Sequence, residues 1–361
     1  MSQESVIVRV DSLRDFVVKV FQKVGVPEDD AATIADVLIA SDRRGIGSHG
    51  VARLSRYVKG IKDGVMIPKP EIKVVHETPI TAVVDGGGGL GQPVGVWAMN
   101  YCIKKAKEQG LAFVAVRNSN HYGIAGYYAM MALKEGLIGI SMTNTAPLVL
   151  PTFGKEAVIG TNPIAIAIPT GEEKPFVFDG ATSTVTRGKL EDYDRYNKPI
   201  PLTWATDAQG NPTSNPREVL ENLLERGGGG LLPLGGAKEE EGGHKGYGLA
   251  VLVDIFTGVL SGGLYGPLPY KDKKAPSGVC HFFGAIKIES FIPEEQFKKS
   301  MDNFINILKN SKKAEGKDRI FVAGEKEFEF EEKYREEVAL YYKVAENLRS
   351  IGSELGVKAD F

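Results

Sequence analysis

Apolar side chains recur every three or four positions along the first sixty residues, and then their spacing becomes strand-like. The first periodic run begins near Asp11 and ends at Pro27, a second begins near Asp30, and a third follows His49. Proline cannot continue a helix, and short polar residues favour helix starts. These patterns predict that residues 1–70 form an N-terminal helical segment.

From residue 71 onward the apolar positions alternate or form short β-branched runs, which is typical of strands. Predicted strands cover residues 72–76, 80–84, 112–116, 138–143, 164–168, 176–178 and 280–288. Predicted helices cover residues 94–110, 122–136, 245–260, 294–310 and 331–351. The polar stretch 188–217, rich in proline and asparagine, predicts a loop. Because helices do not separate every pair of strands, we expect an α+β fold and not repeated βαβ units.

The change of period divides the chain into two parts. We expect residues 71–289 to form a sheet domain. Residues 290–361 supply further helices, which we expect to pack against the helical segment 1–70. A chain of 361 residues is long enough to bury two hydrophobic cores.

Composition narrows the class of protein. The net charge is −2, from 44 basic and 46 acidic residues, so nothing indicates a nucleic-acid partner. Two cysteines, Cys102 and Cys280, are too few for a disulfide framework and predict spectator thiols in a reducing compartment. The first residues lack the pattern of a signal peptide, and the longest apolar run is interrupted by Asp254 and too short to span a bilayer. We therefore expect a cytoplasmic protein without a membrane partner.

The stretch SDRRGIGSHGVARLSRYV at residues 41–58 carries the clearest candidate chemistry. Ser48 is a candidate N-cap for the helix that follows, which places His49 in a first turn where the helix dipole disfavours imidazolium. Arg53 follows four residues later and would share a helix face with His49. A guanidinium can bind a carboxylate while a neutral imidazole exchanges a proton with the neighbouring atom. A capped helix covered by a histidine ring explains the same residues, so catalysis is one of two interpretations here.

Gly86, Gly88 and Gly91 have the spacing of a dinucleotide-binding turn and lie between a predicted strand and a predicted helix. The next strand ends in Arg117 and offers no carboxylate for a ribose. Four consecutive glycines also match this motif easily by chance. A loop near a ligand is therefore the favoured interpretation, and a Rossmann turn is the alternative.

Two more polar segments lie where helices begin. His121, in the sequence RNSNHYG, lies where a strand meets a helix N-terminus, a position suited to phosphate or a carboxamide, and it is a second candidate for proton transfer. An Asn-rich turn explains the same residues equally well. Lys245, in the sequence GGHKGYG, follows glycines that let backbone amides approach an anion. The five histidines are widely spaced and form no ligand pair, so no metal site is predicted.

Six ordered segments together resemble the type 2 malate/L-lactate dehydrogenase family. They are DRRGIGSHGVARL, VRNSNHYGIAGYYA, TNTAP, IGTNPIAIAIP, DGATSTVTRGK and HKGYGLAVLVDIFTGVLSG, and they extend over nearly the whole chain. The resemblance is strongest to archaeal-type malate dehydrogenases. It implies an oxidoreductase that transfers hydride between NAD or NADP and a small 2-hydroxy or 2-oxo acid, with malate and oxaloacetate the best guess. It also implies a non-Rossmann, mostly antiparallel sheet that carries the cofactor, and a homodimer.

The family has other substrates, which stay open as alternatives. They are L-lactate, sulfolactate, ureidoglycolate and cyclic imino acids such as Δ1-piperideine-2-carboxylate. In the imino-acid reductases an aspartate completes a proton relay where this chain has Lys189. A lysine cannot orient imidazolium in that way, so Lys189 favours a 2-oxo or 2-hydroxy acid. Malate requires a second cation for its distal carboxylate, and Arg44, Arg187 and Lys189 are the candidates.

The resemblance also assigns roles to single residues. Those implied for catalysis are His49 as acid/base, Ser48 as its relay partner, and Lys189 and His121 as further candidates. Those implied for substrate binding are Arg53, Thr161 and Arg44. Those implied for cofactor binding are His121, Tyr122, Gly123, Ile124, Ala125, Asp179, Gly180, Ala181, Lys245, Gly324 and Glu325. The last two belong to a Pro-Gly-Glu turn of the family in which Ala323 replaces the proline.

Overall fold

The computed structural model describes residues 5–361 and has a seven-stranded sheet at its centre. The strands of the chain are β1 (Ser5–Arg9), β2 (Lys73–Glu77), β3 (Thr81–Asp85), β4 (Leu111–Ser119), β5 (Leu137–Thr143), β6 (Ile164–Ile168), β7 (Phe176–Gly180), β8 (Ala205–Thr206), β9 (Gly230–Leu231), β10 (Val279–Lys287) and β11 (Glu337–Tyr341). The central sheet has the order β2-β3-β4-β10-β5-β6-β7. Every neighbouring pair in it is antiparallel except β3 and β4. The expected α+β fold with a mostly antiparallel sheet is confirmed.

Helices surround this sheet. They are α1 (Val10–Lys23), α2 (Glu28–Arg43), α3 (Leu54–Lys62), α4 (Gly91–Gln109), α5 (Ala125–Met131), α6 (Arg187–Arg195), α7 (Pro216–Glu225), α8 (Gly243–Asp254), α9 (Glu294–Lys309), α10 (Glu325–Lys333) and α11 (Tyr342–Leu355). One face of the sheet packs against α4 and α5, with Val114 and Phe283 meeting Ala98 and Tyr128 in a shared core. The opposite face meets the π-helical continuation of α8, Ile255–Val259.

A second core joins the two ends of the chain. Helices α1, α2 and α3 pack with α11, and their buried residues include Phe21, Leu38, Tyr57 and Leu348. Strand β1 pairs with β11 in a separate two-stranded sheet, so the N-terminal segment is hydrogen-bonded to the C-terminal segment. This helical cluster meets the sheet domain just beyond the end of β4, where the Tyr57 hydroxyl of α3 lies 2.6 Å from Nδ1 of His121.

A small third core is formed by residues from the range 149–231. It contains Leu190 from α6, Val219 from α7 and Leu231 from β9, together with Val149, Ile200 and Ala205. The glycine-rich stretch before β9 is required by backbone geometry, because Gly228, Gly229 and Gly230 all have positive φ angles between 69° and 154°. This unit matters for function because it holds the first residues of α6 against the 3-10 turns that precede α3.

Several predicted elements require correction. Residues 188–217 are not a loop, because α6 occupies most of the first third and α7 begins at Pro216. The predicted helix 331–351 is divided into the end of α10, strand β11 and the start of α11. The predicted helix 122–136 begins only at Ala125, and β1 was not predicted at all. Edge strands such as β1 and β11 pair with distant segments, and local sequence patterns carry little information about such pairing.

Candidate active site

A cavity of about 460 Å³ lies where the helical cluster meets the carboxyl ends of β4 and β5. Three groups of residues line it. The first, from residues 49–56, is His49, Arg53 and Arg56. The second, from the strand ends and the loops after them, is His121, Tyr122, Gly123, Thr143, Asn144, Thr145, Ala146, Leu148, Thr161, Pro163 and Val279. The third, from residues 186–191 and from the loop that contains Tyr270, is Thr186, Arg187, Gly188, Glu191 and Tyr270.

Two short 3-10 turns carry His49 and Arg53 into this cavity. They are Gly47–His49 and Val51–Arg53, and α3 follows them directly. The Asp42 carboxylate accepts a hydrogen bond from the Val51 backbone N–H at 2.8 Å, and it closes the bend between them. A Cβ atom at Gly50 would overlap that carboxylate, so this position requires glycine. The turn that presents the catalytic candidates is thus built around one buried carboxyl group.

The structure changes the expected role of Ser48. Its hydroxyl does not cap the following helix. It lies 3.0 Å from Nδ1 of His49 instead, while its backbone carbonyl accepts a hydrogen bond from Nε of Arg53 at 2.6 Å. Ser48 therefore contacts both the imidazole and the guanidinium, and it fixes one edge of each.

The His49 ring is neutral at physiological pH, for a different reason from the one expected. Burial first, and then the charges of Arg53 and Arg56, together lower the pKa of His49 to about 4. The ring lies in a 3-10 turn instead of at the start of a long helix, so desolvation and guanidinium charge replace the helix dipole as the cause. A neutral imidazole beside guanidinium groups can accept a proton from a bound hydroxyl group.

A second imidazole stacks on the first. The ring centroids of His49 and His121 are 5.5 Å apart, with 20° between the ring planes. Nδ1 of His121 lies 2.6 Å from the Tyr57 hydroxyl and accepts a longer contact from the Gly123 N–H at 3.3 Å. Burial, followed by the charge of Arg56, lowers the pKa of His121 well below its ordinary value. Both histidines predicted from the sequence therefore lie in one cavity, and both are neutral.

Behind these rings the strand ends are held by buried hydrogen bonds. Tyr122 stacks on the fully buried His281 at 4.4 Å between centroids. The two ring nitrogens of His281 lie 2.8 Å from the Thr143 hydroxyl and 2.9 Å from the Ser119 hydroxyl. Burial lowers the pKa of His281 to about 3, so this histidine is a neutral structural group. It ties the end of β4 to the end of β5.

The loop after β5 and the loop before β6 supply hydroxyl groups to the cavity. The Thr145 hydroxyl accepts a hydrogen bond from the Thr161 N–H at 3.0 Å, so the loops at 143–145 and 160–163 are joined. The carboxylate of Asp254, at the end of α8, accepts hydrogen bonds from the side-chain amides of Asn144 at 3.2 Å and Asn162 at 3.0 Å. One buried carboxylate thus fixes both loops, and Thr161 lines the cavity as expected for a substrate contact.

Three predicted cations do not line this cavity. Arg44 donates to Glu331 at 2.8 Å and lies over the ring of Phe328 at 4.7 Å. Nζ of Lys189 lies 5.7 Å from the centroid of Tyr193. Lys245 is exposed on the surface of α8. Their positions correct the expectation that Arg44 or Lys189 meets the distal end of a substrate.

Arg44 instead lines a smaller cavity of about 180 Å³ with Gly126, Asp179 and Gly324. The Asp179 carboxylate accepts a hydrogen bond from the Gly126 N–H at 2.7 Å, and desolvation raises its pKa to about 6. Glu325 lies beside this cavity, where it contacts Lys309 at 2.7 Å and Arg319 at 3.3 Å. The first residues of α5 separate the two cavities, with Gly123 lining the larger and Gly126 lining the smaller. Of the other predicted cofactor residues, Ile124 and Ala125 are buried at this point, and Gly180 and Ala181 follow Asp179 directly.

The glycine turn at residues 86–91 packs against the segment that carries His121. The side-chain amide of Asn120 donates to the carbonyls of Gly88 and Gly89, both at 2.9 Å, and a Cβ atom at Gly91 would overlap the Asn120 carbonyl. The Asp85 carboxylate accepts from the Gly87 N–H at 3.0 Å. None of these glycines lines the larger cavity. The turn therefore braces the segment that carries His121.

Arg56 and Tyr270 are among the cavity residues that were not predicted from the sequence. The Arg56 guanidinium donates to the Tyr270 hydroxyl at 2.8 Å across 214 positions of sequence. A signal for Arg56 existed, because His49, Arg53 and Arg56 follow the i, i+4, i+7 spacing of one helix face. Tyr270 lies in a loop and had no such signal.

The described part of the chain has neither a metal-binding group of side chains nor a helix suited to cross a membrane. Within residues 5–361, no group of three or more His, Cys, Asp or Glu side chains is arranged to hold a metal ion. Over the same residues, no helix has the length and apolar character needed to cross a bilayer. Cys102 and Cys280 are both buried free thiols.

The chain is similar to a known family of enzymes over nearly its whole length. Residues 8–349 match the family model described as malate/L-lactate dehydrogenase. The chain is 50% identical to a malate dehydrogenase of Pyrococcus horikoshii, over 96% of this chain and 95% of that protein. It is 39% identical to an L-sulfolactate dehydrogenase of Methanocaldococcus jannaschii, over 98% of both chains. The crystal structure of a malate dehydrogenase from Entamoeba histolytica superposes with a TM-score of 0.96 at 40% identity, covering 99% of this chain and 100% of that one. The chain therefore belongs to the malate/L-lactate dehydrogenase family.

Proposed function

We propose that this protein oxidises malate and reduces oxaloacetate, by hydride transfer to and from a nicotinamide cofactor. The observation that carries the proposal is the combination of His49 and Arg53 in one cavity, with Ser48 bonded to both. Malate dehydrogenases about 50% identical over nearly the whole chain support the choice of substrate. L-Sulfolactate is the second candidate substrate. L-Sulfolactate dehydrogenases are up to 39% identical to this chain, and sulfolactate has a charge similar to that of malate.

The role of Arg53 is to orient the substrate. Its Nε is bonded to the Ser48 carbonyl, so the guanidinium is fixed in direction before substrate arrives. A fixed, planar guanidinium binds a carboxylate through two parallel hydrogen bonds. Binding of the C1 carboxylate in this way places C2 and its hydroxyl group beside His49, and Thr161 provides a further hydroxyl contact.

The role of His49 is to move the proton. Its ring is neutral because desolvation and two guanidinium groups lower its pKa to about 4. As malate is oxidised, the imidazole takes the proton of the C2 hydroxyl, and in the reverse direction it returns that proton to the carbonyl oxygen. The Ser48 hydroxyl at 3.0 Å from Nδ1 fixes the orientation of the ring and completes a short proton relay.

The cofactor fits the two cavities on either side of the first residues of α5. The larger is lined by neutral donors and acceptors, among them Thr143, Asn144 and Thr145, which suit a carboxamide and a ribose. The smaller is lined by Gly126, Asp179 and Gly324, of which the last two belong to the segments expected from the sequence to bind the cofactor, and it suits the remote end of a dinucleotide. When bound, the nicotinamide ring supplies the hydride-transfer chemistry. This arrangement uses a mostly antiparallel sheet and is the proposed non-Rossmann mode of binding.

We also propose that the protein is a homodimer in the cytoplasm. An exposed apolar stripe runs along α8 and its π-helical continuation and supports association with a second copy. Its members are Leu249, Leu252, Ile255, Phe256, Val259 and Leu260, each 38% or more exposed. Two free buried thiols suit a reducing compartment.

The experiment is an absorbance assay of cofactor oxidation and reduction. Purified protein is tested with NAD and NADP, against malate, L-lactate, 3-sulfolactate and ureidoglycolate, and in the reverse direction against oxaloacetate, pyruvate and Δ1-piperideine-2-carboxylate. We expect the highest kcat/KM with malate and oxaloacetate. Absence of turnover with every 2-hydroxy and 2-oxo acid would rule out the proposal.

A further inference from the structure

The charges of the larger cavity do not match a substrate with a single carboxylate. Three guanidinium groups, from Arg53, Arg56 and Arg187, and one carboxylate, from Glu191, line it. Since His49 and His121 are neutral, two positive charges remain uncompensated. Malate and oxaloacetate are dianions, and a lactate ion would neutralise only half of this charge.

The partners of Arg56 and Arg187 distinguish these two cations. Arg187 forms an ion pair with Glu191, one helical turn along α6, at 3.1 Å, and both side chains face the cavity. Its charge is already compensated. Arg56 is bonded at 2.8 Å to a neutral phenol, the hydroxyl of Tyr270, and so keeps its full charge. A hydrogen bond that the guanidinium donates to a neutral acceptor fixes its direction without cancelling its charge.

Arg56 is also close to the site of the reaction. It follows Arg53 by three residues, and side chains at that spacing on a helix lie roughly 5–6 Å apart at Cβ. The field of Arg56 acts on both imidazoles of the cavity and, among the neighbouring charges, has the largest effect on His121. The two carboxylates of malate are only three bonds apart, so two adjacent guanidinium groups on one helix face match that short separation.

We propose that Arg56, held by the Tyr270 hydroxyl, binds the second anionic group of the substrate and selects 2-hydroxy acids with an anion on C3 over lactate. This inference rests on the proposed function. Neither Arg44 nor Lys189 can take this role from its position, because Arg44 is paired with Glu331 and Lys189 lies over Tyr193. A carboxylate and a sulfonate present the same kind of oxygen acceptors to a guanidinium, so malate and 3-sulfolactate both satisfy the site.

The test compares kcat/KM for malate and for L-lactate in the wild-type enzyme and in Arg56→Leu. We expect kcat/KM for malate to fall by about 100-fold, since a charge-assisted hydrogen-bonded pair is lost. The value for lactate, which has a methyl group at that position, should change by less than about threefold. Turnover of 3-sulfolactate should fall as much as that of malate.

Three further variants sharpen the result. Arg56→Lys keeps the charge but loses the planar fork, and we expect about a tenfold loss on malate alone. Tyr270→Phe removes only the hydroxyl that orients Arg56, so its loss should be smaller and again confined to the dianions. Arg187→Leu is the matched control, because it removes a cavity arginine whose charge is paired with Glu191, and it should leave the malate-to-lactate ratio within about threefold of wild type.

Binding gives a readout that is independent of turnover. Calorimetric titration of the cofactor-loaded enzyme with succinate, a dianion whose carboxylates are spaced as in malate, and propionate, the monoanion that lacks the second carboxylate, should show weaker succinate binding in Arg56→Leu and unchanged propionate binding. An equal loss on malate and lactate, or normal turnover of 3-sulfolactate in Arg56→Leu, would overturn the inference. A change of selectivity in Arg187→Leu and not in Arg56→Leu would also overturn it. If Arg56→Leu does not fold, the malate-to-lactate ratio of kcat/KM in Arg56→Lys tests the inference. A wild-type enzyme that is inactive on all these acids contradicts the proposed function itself.

Discussion

The imidazole rings of His49 and His121 stack at 5.5 Å between centroids, and each ring has a different hydroxyl partner. Ser48 lies 3.0 Å from Nδ1 of His49, and Tyr57 lies 2.6 Å from Nδ1 of His121. Only His49 shares its serine with the arginine proposed to bind the C1 carboxylate. This asymmetry favours His49 as the group that moves the proton, and His121 as a neighbour that supports the ring and contacts the cofactor.

Replacement of each histidine by asparagine tests that assignment. We expect His49→Asn to lower kcat by about 1,000-fold, within the range for loss of a general acid/base, while fluorescence titration still shows cofactor binding. His121→Asn should lower kcat by a smaller factor and weaken cofactor binding. The reverse pattern, with kcat abolished by His121→Asn and nearly normal in His49→Asn, would assign the proton transfer to His121.

The pH dependence of both reaction directions follows from the lowered pKa of His49. Malate oxidation requires the neutral ring, and because its pKa is about 4, the rate should stay constant from neutral pH down to about pH 5 and fall below that. Oxaloacetate reduction requires the protonated ring, so its rate should rise as the pH falls.

Arg56→Leu should move the acidic limb of malate oxidation to higher pH, because that variant removes a positive charge that lowers the pKa of His49. The measurement is kcat/KM against pH from 4 to 9 for both enzymes. An acidic limb in the wild type at or above pH 6.5 would contradict the role of His49 in its observed surroundings.

Loss of Arg53 should affect every substrate alike, in contrast to loss of Arg56. Arg53→Leu removes the proposed partner of the C1 carboxylate, which all 2-hydroxy acids possess, so kcat/KM should fall by about 100–1,000-fold on both malate and lactate. In Arg53→Lys the loss of kcat/KM should be about tenfold smaller than in Arg53→Leu, because the charge is retained. A loss remains because the two parallel hydrogen bonds are gone. Selective loss on malate would indicate that Arg53 binds the distal group instead.

Asp254 offers a test of how the loops are positioned. Its carboxylate, 8% exposed, accepts from the amides of Asn144 and Asn162 and from the Gly266 N–H. Asp254→Asn replaces an acceptor by a group that also donates, and we expect the free energy of unfolding in urea to fall by about 2–3 kcal/mol. Because Thr161 lies in one of these loops, KM for malate should also rise.

Asp302 provides the matched control for that variant. Its carboxylate accepts hydrogen bonds from the backbone of Gly171, Glu172 and Glu173, away from the cavity. Asp302→Asn should reduce stability without changing KM. An unchanged KM in Asp254→Asn, with stability reduced, would show that Asp254 has only a structural role.

The proposed homodimer can be tested through the apolar stripe on α8. Leu252→Glu and Val259→Glu place charges on residues that are 47% and 50% exposed, and we expect the protein to elute as a monomer in size-exclusion chromatography with light scattering. Ile307→Glu on α9, at a position 59% exposed, is the control and should leave the assembly unchanged. A wild-type protein that is already a monomer would refute the proposal.

Much of the candidate site was accessible from the sequence because its residues lie in short, continuous segments. The His49 and Arg53 pair could be identified from four-residue spacing, and both residues line one cavity. The glycine turn at 86–91 was disfavoured as the main ligand loop because the strand after it ends in Arg117, and its glycines do not line the larger cavity. The strands of the central sheet were found within a few residues of their limits, because their two-residue alternation is a local pattern.

The family and the α+β class could be predicted from the sequence, since residue types and local spacing encode them directly. The contacts of Ser48 with His49 and Arg53, and the position of Arg44 and Lys189 outside the cavity, became known only from the folded chain. The tertiary structure also decided that Arg56 meets Tyr270, 214 positions away. The direction of a long side chain depends on which partner the fold brings within hydrogen-bonding distance. That partner is set by the packing of distant segments, which no local pattern records.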